Sequence, residues 1–225
     1  MTTRITVDIV SDAICPWCFI GKRRFEQALA QAPNDIEVLV AWRPYQLNPE
    51  MPPEGMDRKA YLSAKFGGDA RADQIYQRVR DAGQSVGIDF NFHGIPRTPN
   101  TINAHRLIGL AGRAGKQDAL VEGLFRAYFL EGKDIGDVEV LASTAAAAGL
   151  EEKTVRDYLT GRDDVDRVEN EDAMARRMGI QGVPCFILNR KYAISGAQEP
   201  AVFLEALELL KREAAGEAVP VPANS

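Results

Sequence analysis

Cysteine and histidine are both scarce in this chain, which has three cysteines and two histidines among 225 residues. Three cysteines are too few, and odd in number, for the disulfide framework that holds a small secreted domain together. A chain of this length can bury roughly 70% of the surface that its unfolded form exposes, so its core needs no covalent staples. The cysteines therefore raise a question of chemistry rather than of architecture.

Positive charge is also in the minority, since 27 Lys and Arg face 32 Asp and Glu and give a net charge of −5. This balance argues against nucleic acid or an anionic membrane as the main partner. Long apolar runs are missing too, and the first residues, MTTRITVDIVSD, lack the basic and apolar regions of a secretory signal. We therefore expect a cytoplasmic protein with neither nucleic-acid nor membrane partners, in a compartment where most thiols stay reduced.

Several catalytic signatures are absent as well. The chain contains no glycine-rich dinucleotide fingerprint, no phosphate-binding loop that ends in Gly-Lys-Ser/Thr and no His-Glu-x-x-His zinc helix. It also lacks the Gly-x-Ser-x-Gly turn of a serine hydrolase. The sequence therefore gives no support to nucleotide-dependent, zinc-peptidase or serine-hydrolase chemistry. Its 45% of hydrophobic residues indicates an ordinary globular fold.

What is present begins with strand and helix patterns at the two ends of the chain. Short β-branched runs predict strands, and apolar spacings of three and four predict amphipathic helices. The first crossover is long enough for a parallel strand pair, and the last two strands are close enough for a hairpin. The predicted strands are 4–10, 36–42, 183–188 and 192–195, and the predicted helices at these ends are 16–31 and 199–213.

A helical block separates the two ends. The prolines of NPEMPPEG, from Asn48 onward, predict a linker, and Ala, Arg, Leu, Glu and Gln dominate the sequence beyond it. Within the block, Asp137 fits a helix N-cap and Gly149 fits a C-terminal stop. The pattern predicts an α/β fold in which both ends join one sheet. The helices expected in the block are 57–66, 70–86, 99–114, 117–130, 137–148, 151–160 and 163–178.

The strongest chemical signal is Cys15-Pro16-Trp17-Cys18, which follows the first predicted strand and begins the first predicted helix. Two cysteines three residues apart at a helix start share one face and can close a small disulfide ring. Unpaired N–H groups and a partial positive charge at a helix N-terminus stabilise a thiolate. Cys15, as the more exposed sulfur, would attack a substrate disulfide, and Cys18 would resolve the mixed disulfide. Pro16 pre-sets the first helical turn.

Half of a zinc site is a competing interpretation of this pair, and an inert buried pair is another. Zinc would need two more thiolate or imidazole ligands, and the remaining candidates are Cys185, His93 and His105. None of these is paired at a ligand spacing. The motif in its β-α-β context therefore predicts a redox site without a metal.

A second signal is Gly182-Val183-Pro184, in which a proline stands at the head of an apolar strand. A proline at that position cannot donate to the strand ladder. Few X-Pro bonds are cis, so a trans proline is the simpler interpretation, and the residues alone leave the isomer open.

Together these segments resemble a known family. A strand, CPWC, a helix, an inserted helical block and then Gly-Val-Pro before a hairpin and a helix look like the DsbA-like branch of the thioredoxin superfamily. More narrowly, CPWCFIGKRRFEQAL, WRPYQLNPEMPPEG, NTINAHRL and SGAQ resemble the FrnE-type dithiol–disulfide oxidoreductases. Those enzymes are related to 2-hydroxychromene-2-carboxylate isomerases and kappa-class glutathione transferases, and the resemblance extends to about residue 213.

The resemblance implies an α/β thioredoxin fold with an inserted all-helical domain. Residues 1–48 and 164–213 would form a discontinuous thioredoxin-like domain, and 49–163 would form the helical insertion. Residues 214–225 would be a flexible tail.

For the site, the resemblance implies that Pro184 is cis and faces Cys15, and that the Val183 backbone pairs with an extended thiol substrate. The expected partners are protein or small-molecule thiols and disulfides. Glutathione is a candidate co-substrate, a homodimer is a candidate assembly, and no tightly bound cofactor is expected.

Relatives that act as isomerases or transferases generally carry serine where this chain has Cys15, which favours dithiol redox chemistry here. The alternative is a glutathione-dependent isomerase or transferase in which Cys15 only orients glutathione. A peptide-binding chaperone that uses the cleft between the domains is a third hypothesis. Loss of Cys18 separates the first two, because only the redox mechanism requires it.

Cys185 follows the proline, where an ordinary strand residue is expected. The simpler interpretation is a small buried strand side chain. The alternative is a third thiol within reach of the active site. Strand alternation points Cys185 to the face opposite Pro184, which weakens that alternative.

His105 and Asn48 are further candidates for the cleft. His105 fits a core histidine bonded to a backbone carbonyl, which is the favoured interpretation. It also fits a polar wall of the cleft that assists proton transfer at Cys18. Asn48, in Leu-Asn-Pro, is a candidate for substrate binding in the same cleft.

The remaining candidates lie near the motif or the last helix. Ala197 and Gln198 fall near the helix start where the resembled glutathione users hold the γ-glutamyl end. Simple capping of that helix is the other interpretation. Trp17 is expected to line the substrate-binding surface around Cys15, whereas Trp42 is expected to lie in the core.

Overall fold

The computed structural model describes residues 2–217 as a four-stranded sheet with helices around it and a separate two-stranded ribbon. The strands are β1 (Thr3–Ser11), β2 (Ile36–Pro44), β3 (Met56–Asp57), β4 (Arg97–Thr98), β5 (Cys185–Leu188) and β6 (Tyr192–Ser195). The helices are α1 (Pro16–Gln31), α2 (Arg58–Phe66), α3 (Asp69–Gln84), α4 (Ile102–Arg113), α5 (Gln117–Phe129), α6 (Val138–Ala147), α7 (Glu152–Thr160), α8 (Val165–Arg177) and α9 (Pro200–Ala214). A short 3-10 turn spans Phe92–Gly94.

The main sheet joins the two ends of the chain in the order β2-β1-β5-β6. β1 and β2 are parallel, with Thr3 opposite Ile36, as the length of the first crossover predicts. β5 runs antiparallel to β1, with Cys185 opposite Val10, and β6 completes the hairpin. The predicted α/β class and the sheet shared by both ends are confirmed.

One face of the sheet packs against α1 and α9. Phe25 of α1, Phe186 of β5 and Phe203 of α9 meet there, with ring centroids 4.7 Å to 5.3 Å apart. All three side chains are at most 2% exposed. Burial of a side chain of this size stabilises a fold by roughly 1.5–3 kcal/mol, so this cluster fixes α1 on the sheet.

An aromatic layer connects α1 to the inserted helices. Phe19 stacks on Phe125 of α5 at a centroid distance of 5.0 Å and meets Phe90 edge-on at 6.1 Å. Phe92 and Phe129 extend the layer, in T-shaped contact at 6.1 Å. Because Phe19 directly follows the second cysteine of the CPWC motif, the packing of the insert bears on the position of that motif.

Ion pairs around the buried Lys22 also hold α1 against α5. The Lys22 side chain is 4% exposed, and its Nζ lies 3.2 Å from the Asp118 carboxylate and 3.4 Å from that of Glu122. Arg23 binds Glu122 in a bidentate pair, and Glu26 contacts both basic side chains. Removing one partner of such a cluster leaves a buried charge without compensation, so the cluster restricts how α1 can move relative to the insert.

Arg106 anchors α4, the helix that carries His105. The Arg106 side chain is almost fully buried, and its Nε donates to the Asp163 carbonyl at 2.7 Å. Its Nη2 donates to the carbonyls of Tyr158 at 2.8 Å and Gly161 at 3.0 Å. These bonds satisfy carbonyls at the end of α7 that have no partner within the helix.

The boundaries of the predicted elements agree with the structure to within three residues. Asp137 is the predicted N-cap of α6, and its carboxylate accepts from the N–H groups of Glu139 and Val140. Gly149, just after α6, has a φ of 90°, as its role as a helix stop requires. The ribbon of β3 and β4 was not predicted, because strands of two residues are too short to show a period.

The domain boundaries at 48, 163 and 213 stay a prediction. The tail predicted from residue 214 begins inside α9, which includes Ala214. Residues 218–225 of that tail lie outside the described part of the chain.

Candidate active site

Cys15 and Cys18 lie where β1 ends and α1 begins. Cys15 is the N-cap of α1, with extended backbone angles, and Pro16 follows in the first helical turn. The Cys15 N–H donates to the Asp12 carbonyl at 3.0 Å, and the Cys18 N–H donates to the Cys15 carbonyl at 3.0 Å. Both cysteines are free thiols, and Cys15 is 4% exposed whereas Cys18 is 0% exposed. The order of exposure agrees with the sequence prediction.

The surroundings of Cys18 favour its protonated form. Burial raises the pKa of the Cys18 thiol well above its ordinary value, and the neighbouring Cys15 raises it further. Hydrogen bonds from the Ser11 side chain and the Asp12 backbone lower this pKa, because they stabilise the thiolate. Cys18 must therefore lose a proton before it can act as a nucleophile, and polar groups lie beside it.

The loop before β5 lies against Cys15. The Val183–Pro184 peptide bond is cis. The Cys15 Sγ donates to the Val183 carbonyl oxygen at 3.5 Å. A Cβ atom at Gly21 would lie 2.9 Å from Cγ of Pro184, so glycine leaves room for the proline ring on α1. The Pro184 carbonyl in turn accepts from the N–H of Gly196 at 2.8 Å.

Asp12 is a site residue that the sequence reasoning missed. Its side chain is 0% exposed. Its Oδ2 accepts from the Leu47 N–H at 2.7 Å, and its Oδ1 accepts from the Ile14 N–H at 3.4 Å. Oδ1 also lies 3.5 Å from Nε2 of His105. An acidic residue between a buried strand and the CPWC motif was the available signal, because a buried charge requires partners.

His105 is buried against a backbone carbonyl, as the favoured interpretation predicted, and a part in proton transfer stays a prediction. Its side chain is buried, and Nε2 lies 3.2 Å from the Tyr45 carbonyl oxygen. The same loop is held from the other side by α8, where the Asp172 carboxylate accepts from the Gln46 N–H at 2.8 Å. Arg176 of α8 binds the Gln46 carbonyl. The loop after β2 is therefore fixed between His105 and α8.

Asn48 continues this loop toward α2. Its Oδ1 accepts from the Tyr61 hydroxyl at 3.1 Å and from Lys65 Nζ at 3.3 Å. Its Nδ2 is buried and has no hydrogen-bond partner within residues 2–217. Asn48 directly follows Leu47, whose N–H donates to the buried Asp12 carboxylate. Its free donor is suited to a polar substrate group.

Ala197 and Gln198 lie in the loop that follows β6 and that is bonded to the cis-proline carbonyl. The Ala197 carbonyl accepts from Arg24 of α1 at 2.6 Å. Gln198 Nε2 donates back to the Ser195 carbonyl at 2.8 Å. The N-cap of α9 is Glu199, and no side chain caps that end. The capping interpretation of Gln198 is therefore wrong, because no side-chain oxygen accepts from the N–H groups at the start of α9.

The two tryptophans differ as predicted. Trp17, between the two cysteines, is 38% exposed, and Pro16 beside it is half-buried. Trp42 is 5% exposed, and its Nε1 donates to Asp118 at 3.2 Å. Trp17 thus provides an apolar surface next to Cys15, whereas Trp42 belongs to the core.

Cys185 lies on the other face of the sheet from the CPWC motif. It is 5% exposed and packs with Val10, Tyr45 and Ala175 of α8, in a cluster separate from the one that holds Cys15 and Cys18. Burial raises the pKa of its thiol. The placement agrees with strand alternation and supports the interpretation of Cys185 as a buried strand side chain.

The described part of the chain contains neither a candidate membrane span nor a candidate metal cluster. None of the helices described there has the length and apolar character needed to cross a membrane. Among the side chains that the structure describes, which are those of residues 2–68 and 71–217, no group of three or more His, Cys, Asp or Glu is placed to hold a metal ion. The additional ligands that the zinc interpretation requires are thus not assembled in the described part of the chain.

Comparison with known protein families gives a match over most of the chain. A family model for the DSBA-like thioredoxin domain matches residues 6–208. The chain belongs to this family. The resemblance inferred from CPWC, Gly-Val-Pro and the inserted helices is therefore confirmed at the family level, and the sheet with its helices is a DSBA-like thioredoxin fold.

Individual relatives cover nearly the full length of this DSBA-like protein. A probable DsbA oxidoreductase from Streptomyces coelicolor is 32% identical, with a TM-score of 0.82 over 98% of this chain and 94% of that one. Uncharacterized protein YwbO of Bacillus subtilis (strain 168) is 28% identical over 206 residues, 90% of this chain and 96% of its own. A 2-hydroxychromene-2-carboxylate isomerase is 16% identical with a TM-score of 0.68, over 95% of this chain and 100% of that one, and shares the fold.

Proposed function

We propose that this DSBA-like protein is a thiol–disulfide oxidoreductase that works through Cys15 and Cys18. The observation that carries the proposal is the position of Cys15, at the N-cap of α1 with its sulfur against the Val183 carbonyl. The Cys18 thiol lies one helical turn behind it and is shielded from solvent. A nucleophile at a helix start with a resolving thiol beside it is suited to disulfide exchange.

In the reducing direction the reaction has two displacements. The Cys15 thiolate attacks one sulfur of the substrate disulfide, and the other substrate sulfur leaves as a thiolate. Cys18, deprotonated, then attacks Cys15, so the bond between Cys15 and the substrate breaks and a Cys15–Cys18 disulfide forms. The second substrate sulfur leaves with the electron pair. In the oxidising direction the same steps run in reverse, and the reduction potential of the pair relative to its compartment sets the direction.

The substrate would bind across the start of α1 and the cis-proline loop. We propose that an extended thiol substrate pairs with the backbone of Val183, whose carbonyl already contacts the Cys15 sulfur. The exposed Trp17 ring and the half-buried Pro16 would supply apolar contact beside it. Both protein disulfides and small-molecule disulfides fit this arrangement, because it recognises backbone and sulfur rather than one side chain.

Glutathione is the small thiol that we propose as co-substrate. The N-terminus of α9 has no side-chain cap, and it lies next to Ala197 and Gln198 in the loop bonded to Pro184. Free N–H groups at a helix start suit a carboxylate. On the other side of the site, the unpartnered amide of Asn48 would donate to a polar group of the peptide.

Substitution of the cysteines tests the proposal. Cys15→Ser should abolish insulin reduction and glutathione-disulfide turnover, and Cys18→Ser should accumulate a mixed disulfide on Cys15 that mass spectrometry detects. Cys185→Ser is the matched control, since it removes a buried thiol on the other face of the sheet. Full activity of Cys15→Ser would show that the mechanism is wrong. If Cys18→Ser keeps its activity toward a small electrophile, the alternative of a glutathione-dependent isomerase or transferase replaces it.

A further inference from the structure

Cys18 must release a proton although no part of it reaches solvent. Its side chain is 0% exposed. The following inference rests on the proposed disulfide exchange, in which Cys18 attacks as a thiolate. We propose that the proton of Cys18 leaves through the Ser11 hydroxyl and the His105 imidazole, toward the edge of the sheet formed by β2.

Ser11 is the first group on this route. It is the last residue of β1 and is 5% exposed. It is one residue before Asp12, whose carbonyl accepts from the Cys15 N–H, and its side chain lowers the pKa of the Cys18 thiol by favouring the thiolate. A hydroxyl group both donates and accepts, so it can take the proton of a thiol while it passes on its own.

A small cavity separates Ser11 from His105. Its volume is about 10 Å³, and both side chains line it. The rest of the lining is mostly apolar and includes Trp42, Leu124 and Phe125. A volume of this size is near the minimum that holds one water, and such a water needs polar partners. One water here would join the Ser11 hydroxyl to the imidazole, because these are two of the few polar groups in the lining.

The contacts of His105 suit it to accept the proton. Its Nε2 lies 3.2 Å from the Tyr45 carbonyl and 3.5 Å from Asp12 Oδ1. The tautomer that donates from Nε2 to this carbonyl leaves Nδ1 as the proton acceptor. Once Nδ1 is protonated, the buried Asp12 carboxylate balances the positive charge of the imidazolium.

The charged groups around His105 come from the loop after β1, from β2 and, at the open pocket described below, from α4 and α8. Asp12 is the negative group. Arg43 of β2 also lines the small cavity, and its guanidinium is paired with Asp8 at 2.7 Å and lies 3.9 Å from Glu171. α5 contributes only apolar side chains to this cavity. The paired Arg43 therefore leaves Asp12 as the closest charge to the imidazole.

The route ends at an open pocket between β2 and α4. The pocket has a volume of about 440 Å³, and His105 lines it as well as the small cavity. Four charged side chains also line it, which keeps it accessible to water: Arg43, Arg113, Arg167 and Glu171. His105 thus lies between the small cavity that Ser11 lines and the open pocket on the β2 side.

The attack of Cys18 on the mixed disulfide forms one S–S bond, breaks another and releases one proton. The Cys18 sulfur attacks the Cys15 sulfur of the mixed disulfide, and the bond between Cys15 and the substrate breaks. The electron pair of that bond leaves with the substrate sulfur as a thiolate. The Cys18 proton passes through Ser11 to His105 and is then released to water in the open pocket, while the substrate thiolate takes its proton from bulk solvent.

Reaction with the aromatic disulfide 5,5′-dithiobis(2-nitrobenzoate) measures the two displacements as separate phases of one absorbance trace. The first equivalent of coloured thiolate reports the attack of Cys15, and the second reports the attack of Cys18. We expect His105→Gln to keep the first phase and to slow the second by about 10²-fold or more, the usual effect of losing a general base. The wild-type rate of the second phase should depend on pH, because only a neutral imidazole accepts a proton, and His105→Gln should lose this dependence.

Ser11→Ala interrupts the route at its other end and should slow the same phase. His93→Gln, an exposed histidine on the 3-10 turn, is the matched control and should match the wild type in both phases. Cys18→Ser should release one equivalent only. An intact first phase in each variant shows that the site is folded.

The outcomes distinguish this inference from the proposed function. If the wild type lacks a second phase, or if Cys18→Ser retains it, the proposed exchange is wrong. If the wild type shows both phases and His105→Gln has the same second phase and the same pH profile, the exchange stands and the route through His105 is wrong.

Discussion

Cys18 and Cys185 are both buried, yet they lie in different chemical surroundings. Cys18 is 0% exposed and Cys185 is 5% exposed, and burial raises the pKa of both thiols. Cys18 also has Cys15, the Ser11 hydroxyl and the Asp12 backbone around its sulfur. For Cys185, burial is the one cause of the shift, and its neighbours in the core cluster are mostly apolar.

Burial is therefore not what separates the thiol proposed to act in exchange from the thiol that packs in the core. The difference is whether the sulfur has a partner sulfur and groups that can take its proton. Cys18 has both because it lies where a strand ends and a helix begins, and the backbone there has free polar groups. Cys185 lies inside a strand, where the backbone groups are used by the ladder.

The largest expected effect is the difference between Cys15 and Cys185 when the native reduced protein is alkylated. Iodoacetamide at neutral pH should modify Cys15 and leave Cys185 unmodified until denaturant is added, because the raised pKa keeps the Cys185 thiol protonated in its strand, whereas Cys15 lies at the start of a helix. Peptide mapping by mass spectrometry measures both sites in one sample. Modification of Cys185 at a rate similar to that of Cys15 would break the comparison and would revive the hypothesis of a third reactive thiol.

The next prediction concerns the packing of α1 against the cis-proline loop, on the face of the sheet that holds Cys15. In Gly21→Ala the new methyl group would lie 2.9 Å from Cγ of Pro184, so the proline loop or α1 must move. We expect a loss of about 1–3 kcal/mol in the free energy of unfolding, as for other overpacked sites, together with reduced turnover. Chemical denaturation and insulin reduction measure the two effects.

Gly182→Ala is the matched control for stability, because a Cβ atom there would meet nothing within 4 Å. Its free energy of unfolding should change by no more than about 0.5 kcal/mol. Equal losses in the two variants would show that the contact between Gly21 and Pro184 does not position the loop.

A smaller effect should appear in the pH dependence of stability. The Cys18 pKa is raised in the folded state, so above the ordinary thiol pKa the unfolded chain loses its proton more readily than the folded chain. The stability of the reduced protein should therefore be complete at neutral pH and fall as the pH rises past about 8.5, by at most ~1.4 kcal/mol per pH unit from this group. Denaturation midpoints between pH 7 and pH 10 measure the slope.

Two variants show which thiol causes this dependence of stability on pH. Cys18→Ala should flatten it, whereas Cys185→Ala should flatten it less, since the pKa of Cys185 is raised by burial alone. A slope that is unchanged in Cys18→Ala would mean that other groups cause the alkaline loss of stability.

The sequence was sufficient for much of the fold because its signals are local. Strand and helix periods, the N-cap Asp137 and the stop Gly149 depend on residues a few positions apart. Cys15, Cys18 and Pro184 could be proposed as site residues because two short motifs carry them. The family match supports the class of chemistry, and the roles of these three residues stay predictions.

The parts that the sequence did not predict depend on contacts between distant residues. Asp12 meets the Leu47 N–H 35 positions away and His105 93 positions away, and no local pattern records either contact. The capping alternative for Gln198 failed for a related reason, since its amide nitrogen bonds to the Ser195 carbonyl of the hairpin, and its part in substrate binding stays a prediction. A buried acidic residue next to a redox motif is the clue that a closer reading of the sequence could have used.

The smallest predicted effect is that of Cys185→Ala, which removes one buried sulfur from the cluster with Val10, Tyr45 and Ala175. We expect a loss of about 1 kcal/mol in the free energy of unfolding, because a small cavity opens in a packed cluster. Both phases of the reaction with the aromatic disulfide should keep their wild-type rates, since no described hydrogen bond joins Cys185 to Cys15, Ser11 or His105. A change in the second phase alone would mean that the two faces of the sheet are coupled, so that the buried thiol contributes to the reaction and not only to the core.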